Sequence, residues 1–185
     1  MNTLQRHFQL LSCQMRQRSL FNSVAVAKSL FYVTPKRHIA YTVDPSSERI
    51  NKLNTGLFMN PHPAKAHKGG EDAAAITDNI LSLADGVGGW AESGIDPAKF
   101  SRELCTNIDN LIAGDVDGRL YVTNPKQLLI DAVERTRETG SATCVIVSLD
   151  RDEPQLYTAN LGDSGYLLLR KNGLDLISVF RSTEQ

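Results

Sequence analysis

An α+β layered fold is predicted for this chain of 185 residues, and three observations predict it. Two β-rich runs stand at residues 72–76 and 80–84, two amphipathic helical patterns follow them, and three more β-rich runs come after Gly140. The order strand, strand, helix, helix, strand, strand, strand is not the alternation that builds a parallel sheet. It favours layers of antiparallel strands with helices packed on them.

Taken in order, the chain approaches its first strand irregularly. Residues 42–47 and the run Asn60-Pro61-His62-Pro63 are polar and proline-bearing, so the folded part is expected to begin between about Leu53 and Ile76. Residues 65–70 are basic and end in glycine, which reads as a loop leading to Glu71-Asp72. A turn at Thr77-Asp78-Asn79 makes the first two strands antiparallel and brings Asp72 and Asp85 to the same end of a sheet. Asp96 is a helix cap with Pro97 at the first helical position, and Phe100, Leu104, Ile108 and Leu111 share one face. Asn124-Pro125 starts a second helix through Leu128, Leu129, Ala132 and Val133 to about Glu138, where Gly140 stops it. Val145, Val147 and Leu149, then Leu156, Thr158 and Asn160, then residues 166–169 form the remaining β-rich runs. Their connections, residues 150–154 and Gly162-Asp163-Ser164-Gly165, have turn composition.

At 41% hydrophobic and 22% charged residues, the composition is that of a soluble protein with room for one domain. No apolar run approaches the roughly 20 residues of a membrane-spanning helix. The net charge of -1 hides an asymmetry. Residues 1–43 carry Arg6, Arg16, Arg18, Lys28, Lys36 and Arg37 with no Asp or Glu, leaving 14 basic against 21 acidic groups elsewhere. A basic, serine-bearing, acid-free segment reads as a mitochondrial transit peptide over residues 1–43, with the domain over 44–185. A disordered basic arm, or one that binds nucleic acid, is the less favoured reading. Arg16, Arg18 and Lys28 interrupt any secretory core. Cys13, Cys105 and Cys144 have no metal-binding spacing and are expected to be reduced, the last two as buried thiols.

The most informative stretch is Ile80 to Trp90, in which Asp85 sits where an apolar strand meets Gly86, Gly88 and Gly89. Gly86, Gly88 and Ala91 also fit a loose dinucleotide-binding pattern. That fit is poor, because Asp85 would face a pyrophosphate and Pro97 falls where the following helix should already be running. Glu71, Asp72, Asp85 and Asp163 are acidic groups at expected strand ends, and such oxygen donors suit magnesium or manganese rather than zinc. His7, His38, His62 and His67 all lie upstream without zinc spacing, and His62 and His67 read as solvated loop residues.

Gly70-Glu71-Asp72, Ala84-Asp85-Gly86-Val87-Gly88-Gly89-Trp90, Gly140-Ser141-Ala142-Thr143 and Ala159-Asn160-Leu161-Gly162-Asp163-Ser164-Gly165 occur in one order over about 95 residues. Together they resemble the metal-dependent protein phosphatase 2C (PPM-type) family, and most of all its mitochondrial branch, whose members carry the Asp-Gly-Val-Gly-Gly-Trp form. The resemblance implies two packed antiparallel sheets flanked by helices around a pair of Mn2+ or Mg2+ ions. It implies a protein serine/threonine phosphatase, in which a water bridging the two ions hydrolyses phosphoserine or phosphothreonine. Asp85 and Asp72 are then the catalytic residues. Asp85 would bridge both metals, the Gly86 carbonyl would ligate one, and Asp72, beside Glu71, would contact the centre directly or through water. Asp163 would belong to a further, weaker metal site. The partners implied are phosphoprotein substrates rather than nucleic acid, and the location is the mitochondrial matrix.

The chemistry agrees with the resemblance. Two cations about 3.5–4 Å apart lower the pKa of an attacking water and offset charge growing on phosphoryl oxygens. Ser141 and Thr143, without a basic partner, are expected to be structural. Two departures stand out. Val87 replaces the His of many relatives, and Lys65 or Lys68 stands where many place a phosphate-binding Arg; Lys68 is the candidate for substrate phosphate, as a point charge without the bidentate fork. Residues 181–185 also stop before further aspartates that complete the family's centre, so the domain is expected to be incomplete. The alternative is a catalytically inactive fragment or a binding module of the same fold.

Overall fold

A tight hairpin organises the chain, and its turn is written in three residues. In the computed structural model, which describes residues 24–27, 52–152 and 155–184, Thr77 N–H donates to the Ile80 carbonyl and Thr77 Oγ1 accepts from Ile80 N–H, both at 2.9 Å. The strands it joins are β2 (Asp72–Ile76) and β3 (Ile80–Gly86). With β4 (Ala142–Leu149) and β5 (Leu156–Leu161) they form a four-stranded antiparallel sheet in the order β2-β3-β4-β5. A second antiparallel sheet, ordered β1-β6-β7, contains β1 (Val24–Ala27), β6 (Gly165–Asn172) and β7 (Asp175–Arg181). The leader expected over residues 1–43 lies outside the described residues except for β1, which pairs with β6.

Strand alternation sends each face of the four-stranded sheet into its own core. Leu81, Leu83, Val145 and Val147 meet Leu53, Tyr166 and Leu168 between the two sheets. Tyr166 also stacks on Phe180 of β7 with ring centroids 5.5 Å apart. Ala73, Ala75, Ala84, Cys144 and Ile146 point the other way, under the helices. The architecture is therefore two packed antiparallel sheets with helices laid on the outer face of the four-stranded one.

Those helices begin where their caps place them. Asp96 accepts from Ala98 N–H at 3.2 Å and starts α1 (Pro97–Gly114), whose Leu104, Ile108 and Leu111 are buried. A four-residue turn, α2 (Leu120–Thr123), precedes α3 (Pro125–Arg135), where Asn124 accepts from Gln127 N–H at 3.2 Å. Nothing in the sequence pattern predicts α2, since four residues are too few to show a period. The second helix also ends earlier than Glu138. Glu103 of α1 accepts from the N–H groups of Arg137 and Glu138 at 2.9 and 2.7 Å, drawing that backbone out of the helix. Residues 65–70, expected to be a loop, begin within a 3-10 turn at Pro63–Lys68, and Gly88–Ser93 is another.

Cys105 and Cys144 are buried free thiols, as expected, and burial pushes the Cys144 thiol up to about 12. Cys105 is likewise raised well above the usual thiol range, first by burial. A thiolate reagent at pH 8 should therefore label Cys105 and Cys144 only after denaturant unfolds the protein, as read by peptide mass spectrometry. Leu128, on the inward face of α3, is wholly buried, so Leu128→Ala should cost about 2–5 kcal/mol in urea unfolding.

Candidate metal centre

Register decides what the acidic residues share. Asp72 lies directly opposite Asp85 across β2 and β3, and Asp85 lies directly opposite Thr143 across β3 and β4. All three extend the stripe that continues inward as Ala74, Leu83 and Val145, so they sit on the inter-sheet face at its open end. Both carboxylates are half-buried. Like charges directly opposite on an antiparallel pair repel one another, a cost that a divalent cation between them reverses. Asn160, paired with Val145 one row inward, has a buried side-chain oxygen with no hydrogen-bond partner among the described residues. Two carboxylates and a nearby orphaned acceptor are hard oxygen donors of the kind that fit magnesium or manganese.

The glycine turn after Asp85 is shaped by close approach. Gly86 N–H donates to the Glu71 carbonyl at 3.1 Å. A Cβ on Gly86 would stand 2.8 Å from the carbonyl oxygens of both Glu71 and Pro97, so only glycine lets β3 pass between β2 and the start of α1. Val87 N–H donates to the Ser141 carbonyl at 3.0 Å, and the Trp90 indole N–H donates to Ser141 Oγ at 2.8 Å. These bonds pin the 3-10 turn to the start of β4 and give Ser141 its structural task. Thr143 Oγ1 shares a hydrogen bond of 2.5 Å with Ser164 Oγ, which ties β4 to the turn bearing Asp163. A dinucleotide site has no place here, because β3 pairs antiparallel on both sides and no α-helix follows Gly86 directly.

Not every expected residue joins the pair. Asp163 is exposed on the turn between β5 and β6, and among the described residues no three His, Cys, Asp or Glu groups converge as a metal would require. Of the two candidate lysines, Lys65 forms an ion pair with Glu71 Oε2, the two side chains being 41% and 15% exposed. Its Nζ lies 2.9 Å from where a Cβ on Gly88 would stand, so the ammonium rests against the glycine turn. Lys68 is exposed and lines, with Lys65 and His67, a cavity of about 270 Å3 bounded by Glu71 and Pro97. A larger cavity of about 470 Å3 opens at the other end of the sheet, around Asp78, Asp115 and Asp150. It is a poor rival for the chemistry, because Arg119 pairs with Asp150 and Asp152 and Arg151 with Asp78. The sequence pattern does not single out Ser101, whose Oγ donates to the Glu71 carbonyl at 2.5 Å.

No protein-family model matches the chain. Individual relatives do. It is 41% identical to the probable protein phosphatase 2C 55 of Arabidopsis thaliana over 136 residues, covering 72% of this chain and 27% of that protein. It is 35% identical to the protein phosphatase PTC7 homolog fig of Drosophila virilis over 187 residues, covering 95% of this chain and 54% of that one. Among solved structures, the photosystem II phosphatase PBCP matches 68% of this chain and 47% of its own, at 36% identity and a TM-score of 0.58. The chain belongs to the protein phosphatase 2C (PPM-type) family. It spans 27% and 54% of the length of those two curated relatives. The family fold of two packed antiparallel sheets with helices agrees with the architecture above.

Gly86→Ala should lower unfolding stability by about 1–3 kcal/mol through the clash with two carbonyls. Gly89→Ala, where a Cβ meets nothing within 4 Å, should stay within about 0.5 kcal/mol of the parent in the same urea titration.

Proposed function

We propose that this chain carries the metal-binding end of a metal-dependent protein serine/threonine phosphatase. The observation that carries the reading is the register that sets Asp72 opposite Asp85, with Gly86 next in the chain, in a member of the protein phosphatase 2C family. Asp85 and Asp72 would hold the metal ions with the Gly86 carbonyl, and Asp163 would serve a further, weaker site. When bound, a pair of Mn2+ or Mg2+ ions supplies an acidified water and charge stabilisation for the phosphoryl group.

The remaining work falls to the chain itself. Asp85 and Asp72 fix where the positive charge sits. Lys65 offers an ammonium that binds a phosphate oxygen as a point charge, and its pairing with Glu71 orients it beforehand. Lys68, at the rim of the neighbouring cavity, meets the substrate phosphate on approach. Val87 has no titratable group, so a general acid at that position is absent. Substrates would be phosphoproteins, and the basic residues 1–43 support mitochondrial import, with residues 44–185 as the body of the domain and Val24–Ala27 adding a strand beside β6.

Asp85→Asn should reduce Mn2+-dependent release of phosphate from a phosphothreonine peptide by at least about 100-fold, beyond the range seen for outer-sphere partners of a metal. Chelation should abolish turnover and added Mn2+ should restore it. Unchanged turnover in the variant overturns the assignment. Calorimetric titration of Mn2+ separates the remaining reading: heat of binding without hydrolysis means a binding module of the same fold.

A further inference from the structure

The turn that delivers Lys65, Glu71 and Asp72 to the centre is held from outside by one guanidinium. Arg102, on the second turn of α1, donates through Nη2 to the Lys68 carbonyl at 2.9 Å and to the Gly70 carbonyl at 3.2 Å. Both acceptors are backbone atoms, so the bonds fix the path of the chain rather than a rotamer. Between them Gly69 adopts φ 80° and Gly70 φ 79°, left-handed conformations in which neither residue has a side chain to pack. The turn's own bonds are few: Gly69 N–H to the Ala66 carbonyl at 3.1 Å and Gly70 N–H to the Lys65 carbonyl at 3.4 Å. Ser101, the preceding residue of α1, anchors the next carbonyl along, that of Glu71.

We infer that Arg102 is a positioning residue, clamping the Lys68–Gly70 turn to α1 so that Lys65 rests against Glu71 and Gly88 and Asp72 arrives opposite Asp85. Arginine suits this task, since two N–H groups on one planar nitrogen reach two carbonyls and the charge strengthens both bonds. The side chain itself remains exposed. Its kinetic consequence rests on the phosphatase reading, whereas the clamp itself does not.

Two measurements on the full chain keep those apart. In hydrogen exchange, Arg102→Ala should speed the Gly69 and Gly70 amides by about tenfold or more, as expected for lost hydrogen bonds to a charged donor, with β4 amides unchanged. Unchanged Gly69 and Gly70 exchange overturns the clamp. In a double-mutant cycle on phosphopeptide kcat/KM with Mn2+, Arg102→Ala and Lys65→Ala should each lose about tenfold, and together stay within about twofold of Lys65→Ala alone. Additive losses overturn action through Lys65. A parent protein without metal-dependent turnover defeats the phosphatase reading, and the exchange result then decides the clamp alone.

Discussion

β3 is hydrogen-bonded on both sides, to β2 and to β4, and that central position is the constraint on which the rest depends. Every residue of a central strand has its face fixed twice over. A slip of one position would turn Leu81 and Leu83 from the inter-sheet core into the helix-facing core and carry Asp85 with them. The apolar stripes on both faces hold the register, and the register holds the carboxylates. Fully burying an Ile or Leu side chain contributes about 1.5–3 kcal/mol, so several such residues outweigh the repulsion of Asp72 and Asp85 placed side by side.

The four-stranded sheet carries two opposed carboxylates at its open end. The contrast with the other end of the same sheet is instructive. There, Asp78, Asp150 and Asp152 meet Lys52, Arg119 and Arg151, so the protein balances its own charge. At the open end the lysine pairs with Glu71, beside the two aspartates. The Lys65 ammonium thus stands near the aspartate pair, against the glycine turn that follows Asp85.

The helices contribute through their backbone neighbours rather than through reacting groups. α1 approaches β3 so closely that Gly86 has no room for a methyl group, and its first turns bond the carbonyls of residues 68, 70 and 71. The first two turns of α1 are therefore joined to residues 68–71 by direct hydrogen bonds. The described residues supply two antiparallel strands that set Asp72 opposite Asp85.

Much was legible in the residues themselves. Alternation gave the hairpin from Asp72, the Asp96 and Asn124 caps gave the starts of two helices, and four ordered motifs pointed to the family, because local conformation and hydrophobic period act over a few neighbouring residues. What remained unread was long-range. Glu103 ends α3 from 34 residues away, Arg102 holds a turn 32 to 34 residues before it, and Lys65 rather than Lys68 reaches Glu71 because a 3-10 turn rotates it there. The sequence by itself determined which groups are present and that Asp72 and Asp85 share one end of a sheet. Only the tertiary structure decided that they are direct cross-strand partners while Asp163 lies on an exposed turn between the two sheets, since that depends on how separate strands pack and in what register.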